Sequence, residues 1–225
     1  MGFVAITAVV FDFDGLLMDT ESTGFAAWQY EWRQHGLELD PAGFWADHGG
    51  DITELRRAAL AAAVGPSFDA AASDARRQAY RAGLNRDLEL RAGIDAWLAE
   101  GRAAGLRLAV ATSSHTGWAE AFLAQVDRVE RFDVFACGDE VARTKPAPDV
   151  YQLALRRLGV PACQAVAVED SPHGVAAAQA AGMRCVGIPS PHVTPDRLAA
   201  ADLVLGSAAE ASLAEALAAC QPAAG

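Results

Sequence analysis

Two carboxylates, Asp12 and Asp14, stand one residue apart at the abrupt end of an apolar run, Ala8 to Phe11, and are followed by Gly15. The run shows no polar alternation, as a strand covered on both faces of a parallel sheet would. On an extended chain, side chains two residues apart point the same way. The C-terminal edge of an open α/β sheet is where ligands bind, so the two acids are expected to share one site there. Carboxylates so close repel each other, and a stable pair calls for a shared proton, a cation or both, with magnesium the obvious cation. The plainer reading of the same residues is a strand that runs into an ordinary Asp-Gly turn.

Three later segments also end in reactive groups. Leu108 to Ala111 runs into Thr112, Ser113 and Ser114, where a hydroxyl could do no more than cap the next helix. Lys145, in Thr144-Lys145-Pro146-Ala147-Pro148-Asp149, is the sole lysine among 18 Lys and Arg. A compact ammonium on a flexible stem can bridge two carboxylates or meet a phosphoryl oxygen, which a planar guanidinium does less well; the alternative is a solvated lysine ahead of a helix. Ala165 to Val168 ends in Glu169 and Asp170. There Ser171 can cap a helix, Pro172 can take its first position and Gly182 can close it. Read without a site, these acids simply favour a helix N-terminus.

In this order the four segments, beginning with Val9-Val10-Phe11-Asp12-Phe13-Asp14-Gly15-Leu16-Leu17-Met18-Asp19-Thr20-Glu21, resemble the four motifs of the haloacid-dehalogenase-like superfamily. The likeness spans nearly the whole chain and points to the helical-cap subgroup that holds sugar-phosphate phosphatases and β-phosphoglucomutase. It implies that Asp12 is the phosphoryl-accepting nucleophile, and that Asp14 is an acid/base that must hold a proton near neutral pH. Thr112, the Ser113 backbone and Lys145 would stabilise the phosphoryl oxygens. Mg2+ would be held by Asp12, the Asp14 backbone carbonyl and Asp170, with Glu169 in or beside the metal site. The activity implied is magnesium-dependent hydrolysis of a small phosphorylated metabolite, a sugar or polyol phosphate, through an aspartyl phosphate.

The competing chemistry in the superfamily is a phosphosugar mutase, whose cap carries a histidine shortly after the first motif; Gly24 takes that position here. A mutase cap also uses an arginine in its substrate loop, and His48-Gly49-Gly50-Asp51-Ile52 offers none before Arg56. Both absences favour a phosphatase. A dehalogenase lacks the second Asp, and a phosphonate-cleaving enzyme needs a cap lysine. A catalytically silent binding or regulatory domain would have lost a catalytic residue, and all are present.

To bring these residues together, strands are expected near residues 5–12, 106–112, 133–137, 164–169 and 184–188, alternating with helical patterns. This is α/β organisation, a Rossmann-like parallel sheet. Residues 18–86 read as an inserted all-helical cap, with 1–17 and 87–225 as the catalytic core. Linkers at 18–21 and 83–87 would let the cap open and close over the site. Trp28, Trp32, Phe44 and Trp45 are expected to form cap core rather than a substrate wall. Arg56 and Arg57 could reach a second anionic group, but neighbours on a helix do not share a face, so at most one points inward; Arg56 is taken as the substrate contact.

A chain of 225 residues, 52% hydrophobic, can bury a substantial core. Its formal net charge of −11, without a basic cluster, disfavours a nucleic-acid partner but not a phosphorylated metabolite in a locally positive site. Cys137, Cys163, Cys185 and Cys220 form no C-x-x-C pair and read as free thiols. The first apolar stretch is broken too early, by Asp12 and Asp14, to be a signal or membrane span, and Ile6 breaks a myristoylation pattern. A cytoplasmic enzyme with no membrane and no obligate protein partner is expected.

Overall fold

The computed structural model describes residues 5–45 and 53–220, and His48-Gly49-Gly50-Asp51-Ile52 lies outside these. The chain forms two compact units, Met1–Asp19 with Glu89–Gly225, and Thr20–Leu88.

The first unit is built on a six-stranded parallel sheet: β1 (Ala8–Phe11), β2 (Arg107–Ala111), β3 (Val134–Ala136), β4 (Ala165–Glu169), β5 (Arg184–Gly187) and β6 (Leu203–Val204), in the order β3-β2-β1-β4-β5-β6. All four residues of β1 are fully buried between β2 and β4, which is why their sequence does not alternate. The chain builds outward through β2 and β3, then returns to the other side of β1 as β4. Strand order thus reverses beside β1, and such a switch point opens a crevice at the C-terminal edge. Register makes that edge level: Phe11 lies opposite Val110 and Val168, so Asp12, Thr112 and Glu169 all surface there. The two-residue β6, paired with Val186 and Gly187, is too short for its own periodicity and was not among the expected strands.

The second unit is helical: α1 (Thr20–Gln34), α2 (Pro41–Trp45), α3 (Thr53–Val64) and α4 (Ala70–Asn85). Trp28, Phe44, Trp45 and Leu60 form its buried centre, with Phe25 and Trp32 packed around them, so the aromatic residues are core, as expected. Helices α1 and α4 are joined by the stacked rings of Tyr30 and Tyr80, 4.2 Å apart, and by fully buried Glu31. The Glu31 carboxylate accepts from Arg76 Nη2 at 2.6 Å and Nε at 3.1 Å, and lies 3.1 Å from His35 Nε2. Beside Gly24, the Arg81 guanidinium occupies the space in front of the missing side chain, 3.5 Å from where a Cβ would stand, and donates to the Thr20 carbonyl at 3.0 Å.

Helices α5 (Ile94–Ala103), α6 (Trp118–Gln125), α7 (Asp149–Leu158), α8 (Pro172–Ala180) and α9 (Leu213–Ala219) complete the first unit. On α7, Val150, Tyr151, Ala154, Leu155 and Leu158 are buried, an amphipathic stripe that packs with Ala8, Val10, Ala109 and Ala167 of the sheet. Helix α8 begins as its sequence announces, with Ser171 Oγ accepting from the Gly174 N–H at 3.1 Å and Pro172 in the first turn. Where chain leaves and re-enters this unit, Met18 and Leu90 pair as an antiparallel bridge. All four cysteines are free; Cys163 is exposed and the others buried, and burial pushes the Cys137 thiol up to about 11. Among the described residues no helix is long and apolar enough to cross a membrane.

Burial alone would raise the Glu31 carboxyl, but hydrogen bonds from Arg76, Ser73 and His35 outweigh it and hold the group below its ordinary range. A carboxyl depressed in the folded state stabilises above its unfolded pKa, and that contribution is lost as pH falls through the folded value. Glu31→Gln should therefore cost about 1–3 kcal/mol at neutral pH and flatten the acid limb of the stability profile, as read by denaturant midpoints between neutral and acid pH. An unchanged acid limb would show that the α1 to α4 clamp does not govern it.

Candidate active site

Lys145 enters the switch-point crevice from the crossover between β3 and α7. Its ammonium bonds Asp12 Oδ1, and Glu169 Oε1 at 2.6 Å. All three side chains are buried. The Tyr151 hydroxyl, rising from the stripe of α7, donates to the same Glu169 oxygen at 2.6 Å. The other oxygen accepts from the Asp170 N–H at 3.1 Å and the Ser171 hydroxyl at 3.4 Å. Glu169 is thus held at both oxygens, and it lies so close to α8 that a Cβ at Gly174 would stand 1.8 Å from Oε2. Only glycine fits that turn of helix.

Burial raises the Asp12 carboxyl well above its ordinary value; Lys145 opposes this, while Glu169, Asp170 and Asp14 add to it. Burial works against charge on Lys145 as well, but Asp12 and Glu169 together outweigh it and hold the ammonium above the ordinary lysine value. Tyr151 is pushed up by burial and by the neighbouring Glu169 and Asp12, and so stays a neutral donor.

The Asp14 carboxylate faces the loop after β2. Its Oδ2 accepts from Ser114 Oγ at 2.7 Å and Thr112 Oγ1 at 3.2 Å, and its Oδ1 accepts from Trp118 Nε1 at 2.8 Å. The Thr112 hydroxyl also accepts from the Ser114 N–H at 3.0 Å, and Ser113 is exposed beside it. This loop lies against Gly138, where a Cβ would come within 2.1 Å of the Ser113 carbonyl. Behind Asp14, Gly15 turns with φ +81°. Its carbonyl is held by Arg91, whose guanidinium also donates to the Pro189 carbonyl at 2.8 Å. Arg56 belongs to the helical unit, where its guanidinium carbon lies 3.5 Å over the Phe44 ring and its Nη2 donates to the Phe44 carbonyl at 3.1 Å.

Oxygens of Asp12, Glu169 and Asp170 lie within 4.8 Å of one another, all three residues buried. Hard oxygen donors of this kind suit Mg2+, Ca2+ or Mn2+. The Lys145 ammonium bonds Asp12 and Glu169, and Asp170 brings a third buried carboxyl oxygen beside them, so the donor set fits a metal of this class.

This arrangement, with its motifs in order along the chain, coincides with a sequence match over residues 9–188 to the haloacid dehalogenase-like hydrolases. The chain belongs to that family. Among its relatives, protein CbbY of Cereibacter sphaeroides is 37% identical over 226 residues, covering 91% of this chain and 94% of that one. Fructose-1-phosphate phosphatase YqaB of Escherichia coli (strain K12) is 32% identical over 183 residues, covering 80% and 95%. A crystal structure of a variant CbbY from Rhodobacter sphaeroides in complex with xylulose-(1,5)bisphosphate superposes with a TM-score of 0.75 at 34% identity, covering 93% of this chain and 98% of that one.

Asp12, Lys145, Glu169 and Asp170 meet in one cluster, and Asp14 joins Thr112 in a second beside it. Ser114, Trp118, Tyr151 and Arg91 are contacts that sequence reasoning missed. Ser114 stood in the Thr-Ser-Ser string. Trp118 and Tyr151 sit at helical spacing from apolar neighbours, where an aromatic side chain reads as core.

The Gly174 contact yields a direct test. Gly174→Ala forces the Glu169 carboxylate or α8 to move, an overpacking cost of about 1–3 kcal/mol. Denaturation midpoints should fall accordingly. Wild-type stability in the alanine variant would show that α8 does not depend on this close approach.

Proposed function

We propose that the protein is a magnesium-dependent phosphatase that hydrolyses a small phosphorylated metabolite, a sugar or polyol phosphate, through an aspartyl phosphate. The observation that carries this reading is the Lys145 ammonium bonded to both Asp12 and Glu169 beside Asp170, at the sheet edge of a haloacid dehalogenase-like hydrolase. The relatives named for fructose-1-phosphate and crystallised with xylulose-(1,5)bisphosphate support a sugar phosphate as the substrate class.

In this reading an Asp12 oxygen forms a bond to phosphorus as the bond from phosphorus to the ester oxygen breaks. The electron pair stays on the ester oxygen, which takes a proton from Asp14 and departs as an alcohol. Water then attacks phosphorus, gives a proton to Asp14, and releases inorganic phosphate with the Asp12 carboxylate restored. Thr112, the Ser113 backbone and Lys145 hold the phosphoryl oxygens throughout. Mg2+, held by Asp12, Asp170 and the Asp14 backbone carbonyl with Glu169 alongside, would neutralise charge on the transferring group. Residues 18–86 serve as the cap that selects the ester, and Arg56 is its candidate contact for a second anionic group.

Phosphate release from a panel of sugar and polyol monophosphates should depend on magnesium and stop on chelation. Asp12→Asn should lower kcat by about 10³-fold or more. Turnover that persists in the Asn variant, or an isomerised sugar phosphate with no phosphate released, would overturn the assignment.

A further inference from the structure

Asp14 must meet the ester oxygen as it leaves, so its carboxyl has to be aimed. Two donors to it come from the segment after β2: Ser114 bonds one of its oxygens and Trp118 the other. The Trp118 ring is itself fixed. It packs edge-on against Phe122, 4.8 Å between centroids at 67°, and His115 stands edge-on to it at 5.9 Å. Phe122 in turn touches Phe13, the residue between the two acids, at 5.9 Å. An indole nitrogen can only donate, and this one is directed at Asp14 Oδ1 at 2.8 Å, an orientation that ring packing alone does not require.

We propose that Trp118, together with Ser114, is the positioning residue of Asp14: its ring is anchored through Phe122 to the strand-end segment, and its N–H sets where the carboxyl stands for proton transfer to the leaving alcohol. The assignment rests on the phosphatase reading and adds to it a residue outside the four motifs. Trp118 does not touch the reacting atoms; it acts through Asp14.

Trp118→Phe keeps the aromatic packing and removes the N–H. Two esters separate the roles. A sugar phosphate releases a poor leaving group that needs the Asp14 proton, whereas p-nitrophenyl phosphate releases a phenolate that does not. With the best sugar phosphate, kcat/KM, which reports the steps up to departure of the alcohol, should fall about 10- to 100-fold, while kcat/KM on p-nitrophenyl phosphate should fall less than about threefold. Ser114→Ala should show the same selective loss. In the unliganded protein, the indole N–H resonance of Trp118, identified by its disappearance in Trp118→Phe, should move on Asp14→Ala. Equal losses of kcat/KM on the two esters, an undiminished kcat/KM on the sugar phosphate, or an unmoved resonance would overturn the assignment alone. A wild-type chain that hydrolyses neither ester would overturn the phosphatase reading, and the assignment with it.

Discussion

Asp12, Glu169 and Asp170 are buried together at the ends of two neighbouring strands, and the Lys145 ammonium in contact with Asp12 and Glu169 is what makes that burial tolerable. Carboxylates taken out of water repel and are poorly solvated, as the raised Asp12 carboxyl records. Lys145 offsets part of this cost. A divalent cation held by the same oxygens would offset more of it.

Much of the surrounding structure serves to hold that ammonium and its partners in place. Tyr151 and the Asp170 N–H fix Glu169, and Gly174 makes room for its carboxylate. Gly138 lets the Ser113-Ser114 turn lie close to the loop after β3, which keeps Thr112 and Ser114 facing Asp14. The level strand ends thus give the site two parts: a buried charged part around Lys145, and a half-exposed part around Asp14 in which Thr112, Ser114 and Trp118 are neutral donors. The division suits a reaction in which one carboxylate attacks while its neighbour exchanges a proton.

The strands and the acids were legible because central strands of a parallel sheet are apolar throughout and end in polar residues on one edge. Lys145 stood out by being the sole lysine. The aromatic residues of the helical unit read correctly as core for the same reason that Trp118 and Tyr151 were passed over: helical spacing signals burial and is silent about where an N–H or O–H points. Arg91 carries no local signal at all, since its two carbonyl partners, Gly15 and Pro189, are far away in sequence. The short β6 is set by pairing with β5 rather than by its own pattern.

The central claim is that Asp12 carries the phosphoryl group. Rapid acid quench during steady-state turnover, followed by peptide mapping, tests it most directly. The account predicts a hydroxylamine-labile phosphate on the peptide that contains Asp12, absent when substrate is omitted. Phosphate released at the full rate with no phosphorylated enzyme trapped, or phosphate on a different residue, would contradict it.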